Sequence, residues 1–299
     1  MSLRKSLLRR KLRRPTAYDR RLRMEPMEDR RLLTVDLEFL KDVNPVLDVA
    51  GSDPGRITEV NGVMFFAATT LAAGRELWKS DGTRAGTVRV KDIRSGSESS
   101  DPRLLTNAGG TLYFAATEGN TGFQLWKSDG TEAGTILVKS IRLGNNGTFE
   151  AMTDVGGLLY FRANDGTRGY ELWKSDGTES GTVLVKDIAP LRPASSSPRS
   201  LTNLNGTLYF TANDGTSGYE LWKSDGTEAG TLRVRDIRTG SGSSSALWLT
   251  DVNGTLFFSA NDGTHGDELW KSDGTQAGTV LVKDVHGIGS SSPFYLTNA

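Results

Sequence analysis

The chain of 299 residues contains no cysteine, so it has no disulfide framework, no thiolate metal site and no cysteine nucleophile. Histidine is nearly absent, with only His265 and His286. No run of 18 apolar residues occurs, so no transmembrane helix is expected. Proline is modest at 9 residues, whereas glycine reaches 35, a balance that suits a folded chain with many turns.

Charge is balanced in sum and divided in space. Residues 1–31 carry 12 Lys/Arg against 4 Asp/Glu, which leaves 24 against 32 in residues 32–299. The basic head lacks the 7–15-residue apolar core of a conventional signal peptide. Read on composition alone, residues 1–34 form a disordered charged tail. A phosphate-binding arm is the other reading, and the acidic body opposes it, so nucleic acid is not favoured as a partner.

From residue 35 onward the chain repeats. Five copies of Leu-Trp-Lys-Ser-Asp-Gly-Thr place Trp78, Trp126, Trp173, Trp222 and Trp270 at spacings of 48, 47, 49 and 48. The turn pairs Asn61-Gly62, Gly109-Gly110, Gly156-Gly157, Asn205-Gly206 and Asn253-Gly254 keep the same period. Periods of this size mark solenoids, propellers and arrays.

Residues 199–237 show what one unit builds. Four short segments, SLTNL, TLYFTA, YELWKS and TLRVRDI, are separated by turn residues and carry no helical period. Asn205-Gly206 predicts a type I′ hairpin, and the Asn-Asp-Gly-Thr and Ser-Asp-Gly-Thr turns extend it into a four-stranded meander. Leu208 and Phe210 point to one face and Tyr209 to the other, while Trp222 points opposite to Leu221. A sheet apolar on both faces needs a neighbour on each side. The expectation is an all-β, propeller-type stack of four-stranded blades over residues 35–299, with five complete units and part of a sixth. A solenoid or tandem sandwich is the alternative. Residues 37–45 resemble a fourth strand without its first three partners, and residues 290–299 a first strand without the rest.

The octapeptide resembles the signature of the bacterial ELWxxDGT (hyalin-like) repeat family, and the resemblance covers residues 57–299. It implies a large secreted or surface protein. The segment MEPMEDRRLLT at 24–34 is similar to an N-terminal export and sorting segment of planctomycete-type bacteria, which implies an extracellular or cell-surface location.

The chemistry-bearing residues divide into structural and binding candidates. Asp81, Asp129, Asp176, Asp225 and Asp273 read as turn formers, with calcium the weaker alternative because no Asp-x-Asp-x-Asp-Gly loop occurs. The five Trp read as packing between blades before they read as sugar platforms. Asn-Gly-Thr at 146, 205 and 253 matches a glycosylation acceptor, and the last two fall in the hairpins and read as turns. No nucleophile elbow, P-loop, dinucleotide fingerprint or zinc motif is present. No cofactor and no catalytic residue is therefore assigned. The aromatics just before the octapeptide, Phe123, Tyr170 and Tyr219, are the candidate ligand contacts, arranged so that weak sites add by avidity. These features lead to a non-catalytic repeat protein for adhesion, matrix structure or multivalent binding of a glycan or a surface protein. The alternative is a polysaccharide hydrolase or lyase, which requires unique charges such as Glu150, Arg162 and His265 to converge in one pocket.

Overall fold

A computed structural model describes residue 41 and residues 51–119, 122–143, 152–191, 195–287 and 289–298. The described chain is all β. Five antiparallel meanders span residues 58–91, 103–139, 152–186, 199–235 and 247–283, each with four strands in sequential order, and the third gains a two-residue strand, Arg142–Leu143. In the fourth sheet the strands are Arg199–Leu204, Thr207–Asn213, Tyr219–Ser224 and Leu232–Arg235. The four segments expected from sequence are all present. Asn61, Asn205 and Asn253 hold φ of 52°, 51° and 52°, each followed by a glycine at 81°, as a type I′ hairpin demands.

Two irregularities recur in register. The third and fourth strands slip between Leu and Trp in every sheet, as where Leu221 pairs with Arg235 and Trp222 with Arg233, so Val234 is the extra residue of a bulge. The first strand is also broken early: Leu104, Ser200 and Trp248 sit at positive φ between two stretches of pairing.

The faces follow the alternation in the sequence. Tyr209, Leu221, Val234 and Ile237 of the fourth sheet pack with Leu256, Phe258, Ala260 and Trp270 of the fifth. Leu208, Phe210, Ala212 and Trp222 pack instead with Tyr160, Leu172, Val185 and Ile188 of the third. The same pairing joins the first sheet to the second and the second to the third. Each junction thus sets a Phe–Ala–Trp face, here called leading, against a Tyr/Phe–Leu–Val–Ile face, here called trailing. Trp126, Trp173, Trp222 and Trp270 are buried in these four junctions, whereas Trp78 is buried against Phe66 and Ala68 of its own sheet. First strands of consecutive sheets lie beside one another.

The first unit departs at its middle turn, where strand Val63–Thr70 meets Gly74–Ser80 through Leu71–Ala73 in place of Asn-Asp-Gly-Thr. Both partial units leave a trace. Lys41 Nζ donates to Thr87 O at 2.8 Å, the contact that Lys91, Lys139 and Lys186 make to Thr135 O, Thr182 O and Thr231 O of the following unit. Thr250 Oγ1 donates to Leu296 O at 3.0 Å, as Thr58 does to Leu105 O. Residues 37–40 and 42–45 of the expected fourth strand, and all of residues 1–34, lie outside the described residues.

Candidate binding surface

The octapeptide is wired identically in each unit. In the fourth, Thr227 N and Oγ1 donate to Asp225 Oδ1 at 2.8 and 2.7 Å, Gly226 N donates to Ser224 Oγ at 3.0 Å, and Gly230 N to Thr227 Oγ1 at 2.9 Å. Ser224 Oγ and Thr231 Oγ1 meet at 2.7 Å in the interior. The Asp side chain also lies on the Gly five positions on: a Cβ at Gly86, Gly134, Gly181, Gly230 or Gly278 would overlap its carboxylate. Hydrogen bonds from the Thr hydroxyl and N–H hold Asp81, Asp129, Asp225 and Asp273 below the usual carboxylate range, and Asp176 is held there by the same two bonds. The observed role of these carboxylates is to close the turn. Among the described residues, no group of three or more His, Asp or Glu is placed to hold a metal ion.

The residue that opens the octapeptide has a function that sequence reasoning missed. Glu76, Glu171, Glu220 and Glu268 are fully buried, and each carboxylate accepts from the loop leading to the next sheet. Glu171 takes Ile188 N at 3.0 Å and Ser196 N at 2.9 Å. Glu76, Glu220 and Glu268 repeat this with Ile93 and Ser100, Ile237 and Ser244, and Val285 and Ser291. Burial pushes Glu76, Glu171 and Glu220 above the usual Glu range despite these bonds. At Glu268 burial acts in the same direction, but the hydrogen bonds from Ser291 and Val285 outweigh it and the carboxyl is lowered.

The aromatics expected to face a ligand each lie under a guanidinium. Arg103 covers Phe123 at 4.5 Å from the ring centroid, Arg162 covers Tyr170 at 4.3 Å, and Arg199 covers Tyr219 at 4.4 Å. Arg199 Nη2 also donates to the Tyr219 hydroxyl at 3.1 Å. Arg103 and Arg199 open the first strands of the second and fourth sheets, whereas Arg162 comes from the second strand of the third sheet. Arg162 aligns with Thr211, and Thr211 is the residue paired with Arg199. The guanidinium therefore reaches one place over the ring from two opposite sequence positions. In the first unit Arg75 replaces the aromatic and pairs with Asp101 at 3.5 Å and Asp53 at 3.6 Å; in the fifth, Asp267 stands there and its N–H donates to Ser290 Oγ at 2.9 Å.

The residues singled out for an enzyme are not brought together among the described residues. Arg162 belongs to the third sheet, and His265 to the fifth, where its Nδ1 meets Asp262 Oδ2 at 2.7 Å and this carboxylate raises its pKa. Glu150 lies outside the described residues. A cavity of about 180 Å³ opens between the first two sheets, lined by Asn61, Phe65, Lys79, Gly110 and Asp129. It sits where Phe65 takes the place of the tyrosines whose hydroxyls fill the later junctions.

No protein-family model matches the chain, and no curated protein matches it. Similar solved structures include a puromycin hydrolase, at 17 % identity and a TM-score of 0.44 over 77 % of this chain and 38 % of the other. A puromycin-hydrolyzing peptidase of Mycobacterium tuberculosis is similar at 10 % identity and a TM-score of 0.47, again over 77 % and 38 %. Prolyl oligopeptidase B from Galerina marginata is similar at 12 % identity and 0.43 over 74 % and 32 %. The chain thus spans about a third of the length of these proteins.

Proposed function

We propose that this chain is a propeller-type member of the ELWxxDGT repeat group, working outside the cell or at its surface as a multivalent binding protein and not as a catalyst. The observation that carries this reading is the guanidinium-over-ring pair present in three successive sheets and assembled from two different sequence positions. Packing of a repeat explains why identical residues recur. It does not explain why one arrangement survives a change in the residues that make it. A row of guanidiniums laid on aromatic rings suits a sugar bearing a carboxylate or sulfate, since the ring holds each guanidinium in place and the guanidinium attracts and donates to the anionic oxygens. Three weak sites held in fixed spacing add by avidity.

The test is a glycan-array screen of the purified chain, followed by titration of any hit against R103A, R162A, R199A and the triple variant. Graded weakening across the single variants, with loss in the triple variant, is the expected result. Failure of acidic glycans to bind, or full binding by the triple variant, overturns the reading.

A further inference from the structure

Asp-Gly is the pair in which a backbone nitrogen most easily attacks the preceding side-chain carboxyl, because glycine carries no side chain to hinder the approach. The sequence holds eight such pairs. Five lie in the turn that follows each third strand, here called the exit turn, and three are the middle turns at Asp165, Asp214 and Asp262. In all eight the glycine N–H donates to the side-chain oxygen of the residue before the Asp. Ser80, Ser128, Ser175, Ser224 and Ser272 accept it in the exit turns at 2.9–3.1 Å. Asn164, Asn213 and Asn261 accept it in the middle turns at 2.6–2.8 Å. Two residue types in two different turns thus meet one requirement.

The carboxylate is held as well. In every pair the Thr two positions on donates its N–H to Asp Oδ1 at 2.8–2.9 Å. Except at Asp262, the Thr hydroxyl donates to the same oxygen. In the middle turns the N–H of Arg168, Ser217 or His265 joins them. Burial acts to raise Asp165, Asp214 and Asp262, yet these bonds outweigh it, and all eight carboxyls lie below the usual range. The Asp–Thr bond by itself closes such a turn. What the bond from glycine adds is the occupation of the one group whose attack would rebuild the backbone.

We propose that the Ser or Asn before each Asp-Gly protects it from covalent rearrangement, holding the glycine nitrogen away from the Asp carboxyl while Thr fixes that carboxyl in place. In the rearrangement the glycine nitrogen bonds to Cγ and gives up its proton, and a carboxyl oxygen departs as water, closing a five-membered succinimide. Water then opens the ring at either carbonyl. Attack at the backbone carbonyl leaves the chain running through Cγ as isoaspartate, with one more methylene in the turn. In the folded chain the proton is committed to a hydroxyl or an amide oxygen, both too weakly basic to remove it. The carboxylate stays ionised and lacks the neutral leaving group that ring closure needs. Gly177, Gly226 and Gly274 sit against the hydroxyls of Tyr113, Tyr160 and Tyr209, so a longer backbone there would force a junction apart. The inference goes beyond the binding reading and does not depend on it, since it uses no residue of the arginine–aromatic row.

The experiment incubates the full chain in warm neutral buffer and follows isoaspartate at each turn by tryptic peptide mapping, since the five peptides that begin at the exit-turn Ser differ in sequence. Every site should rearrange far more slowly in the folded chain than in the same chain unfolded in urea. S224A should raise the rate at Asp225 several-fold and leave the other sites unchanged, whereas S224T, which keeps the hydroxyl, should not raise it. T231V is the control for a merely loosened turn. It deletes the hydroxyl that meets Ser224 in the interior and leaves the Gly226 N–H bond, so its rate at Asp225 should stay natural. N213A repeats the test at Asp214, in an exposed turn, and decides the matter if S224A does not fold. Equal rates in the folded and unfolded chains, or an unchanged rate in folded S224A or N213A, overturns the proposal. Acceleration by T231V or S224T equal to that of S224A assigns the serine a structural role alone, and also overturns it.

Discussion

Glu171 and Ser196 stand 25 residues apart, and the carboxylate of one accepts both the N–H and the hydroxyl of the other in a fully buried site. Its second oxygen also accepts Ile188 N, so a single side chain fixes both ends of the loop between the third and fourth sheets. E171A leaves two buried N–H groups without an acceptor and should cost roughly 3 kcal/mol by urea unfolding. Hydrogen exchange should accelerate first at Ile188 and Ser196. The second unit illustrates the contrast: Gln124 stands there, donates to Ser140 Oγ at 3.4 Å, and the chain after it takes another route, with Arg142–Leu143 pairing beside strand Leu158–Asn164. A stability loss below about 0.5 kcal/mol, the range of ordinary surface substitutions, would refute this role.

Asp165 gives the chain a measurable acid limb. Burial alone would raise its carboxyl, but hydrogen bonds from Thr167 N, Thr167 Oγ1, Arg168 N and the Arg168 guanidinium outweigh burial and hold it at about 2. With the folded value below the unfolded one, its stabilisation is complete above about pH 4 and lost as pH falls toward about 2. The difference in unfolding free energy between the natural chain and D165N should therefore shrink across that window. A difference that stays flat from about pH 5 to about pH 2 contradicts the assignment.

The repeat pattern carried the strands, the hairpins and the two apolar faces because these depend on alternation and on turn residues that are local in sequence. Leu208, Phe210 and Trp222 fall on one face, and Tyr209 and Leu221 on the other, as period two requires. The glutamates are not legible in this way. A carboxylate at the start of a strand reads as solvated, and its acceptor role depends on N–H groups 17 and 25 residues away, in a loop with no pattern of its own. Phe123, Tyr170 and Tyr219 stand out as exceptions to the repeat, yet nothing local in sequence pairs them with their arginines. Arg103 and Arg199 look equivalent to each other and unrelated to Arg162, and only the pairing of the first and second strands shows that they converge.

The repeated tryptophans should not respond alike to substitution. Trp222 Nε1 donates to Ala212 O at 3.1 Å, whereas Trp126 Nε1 is buried without an acceptor. Replacing either by Phe removes similar volume, so the cavity cost nearly cancels between them. W222F also loses a buried hydrogen bond, while W126F removes an unsatisfied donor. W222F should therefore be the more destabilising by about 1–2 kcal/mol in denaturant melts. Equal losses would show that the indole N–H contributes nothing at either junction.

Asp-Gly in the octapeptide is glycine for two separable reasons. Gly82 of the first unit sits at φ 87° with nothing within 4 Å of where a methyl would stand, so G82A meets only the left-handed penalty of about 1–2 kcal/mol. Gly226 has nearly the same φ, but a Cβ there would overlap the Tyr160 hydroxyl of the preceding sheet. G226A should thus cost more than G82A by about 1–3 kcal/mol, the range for overpacking a close contact. Y160F removes the overlapping oxygen and should recover part of the excess in G226A without affecting G82A. The first junction already has this relaxed form, with the Phe65 ring 3.2 Å from the Cβ position of Gly130. A double-mutant cycle on Tyr160 and Gly226 measures the coupling directly. A coupling of zero would mean that the glycine is required by its backbone alone and that the junction tolerates a side chain there.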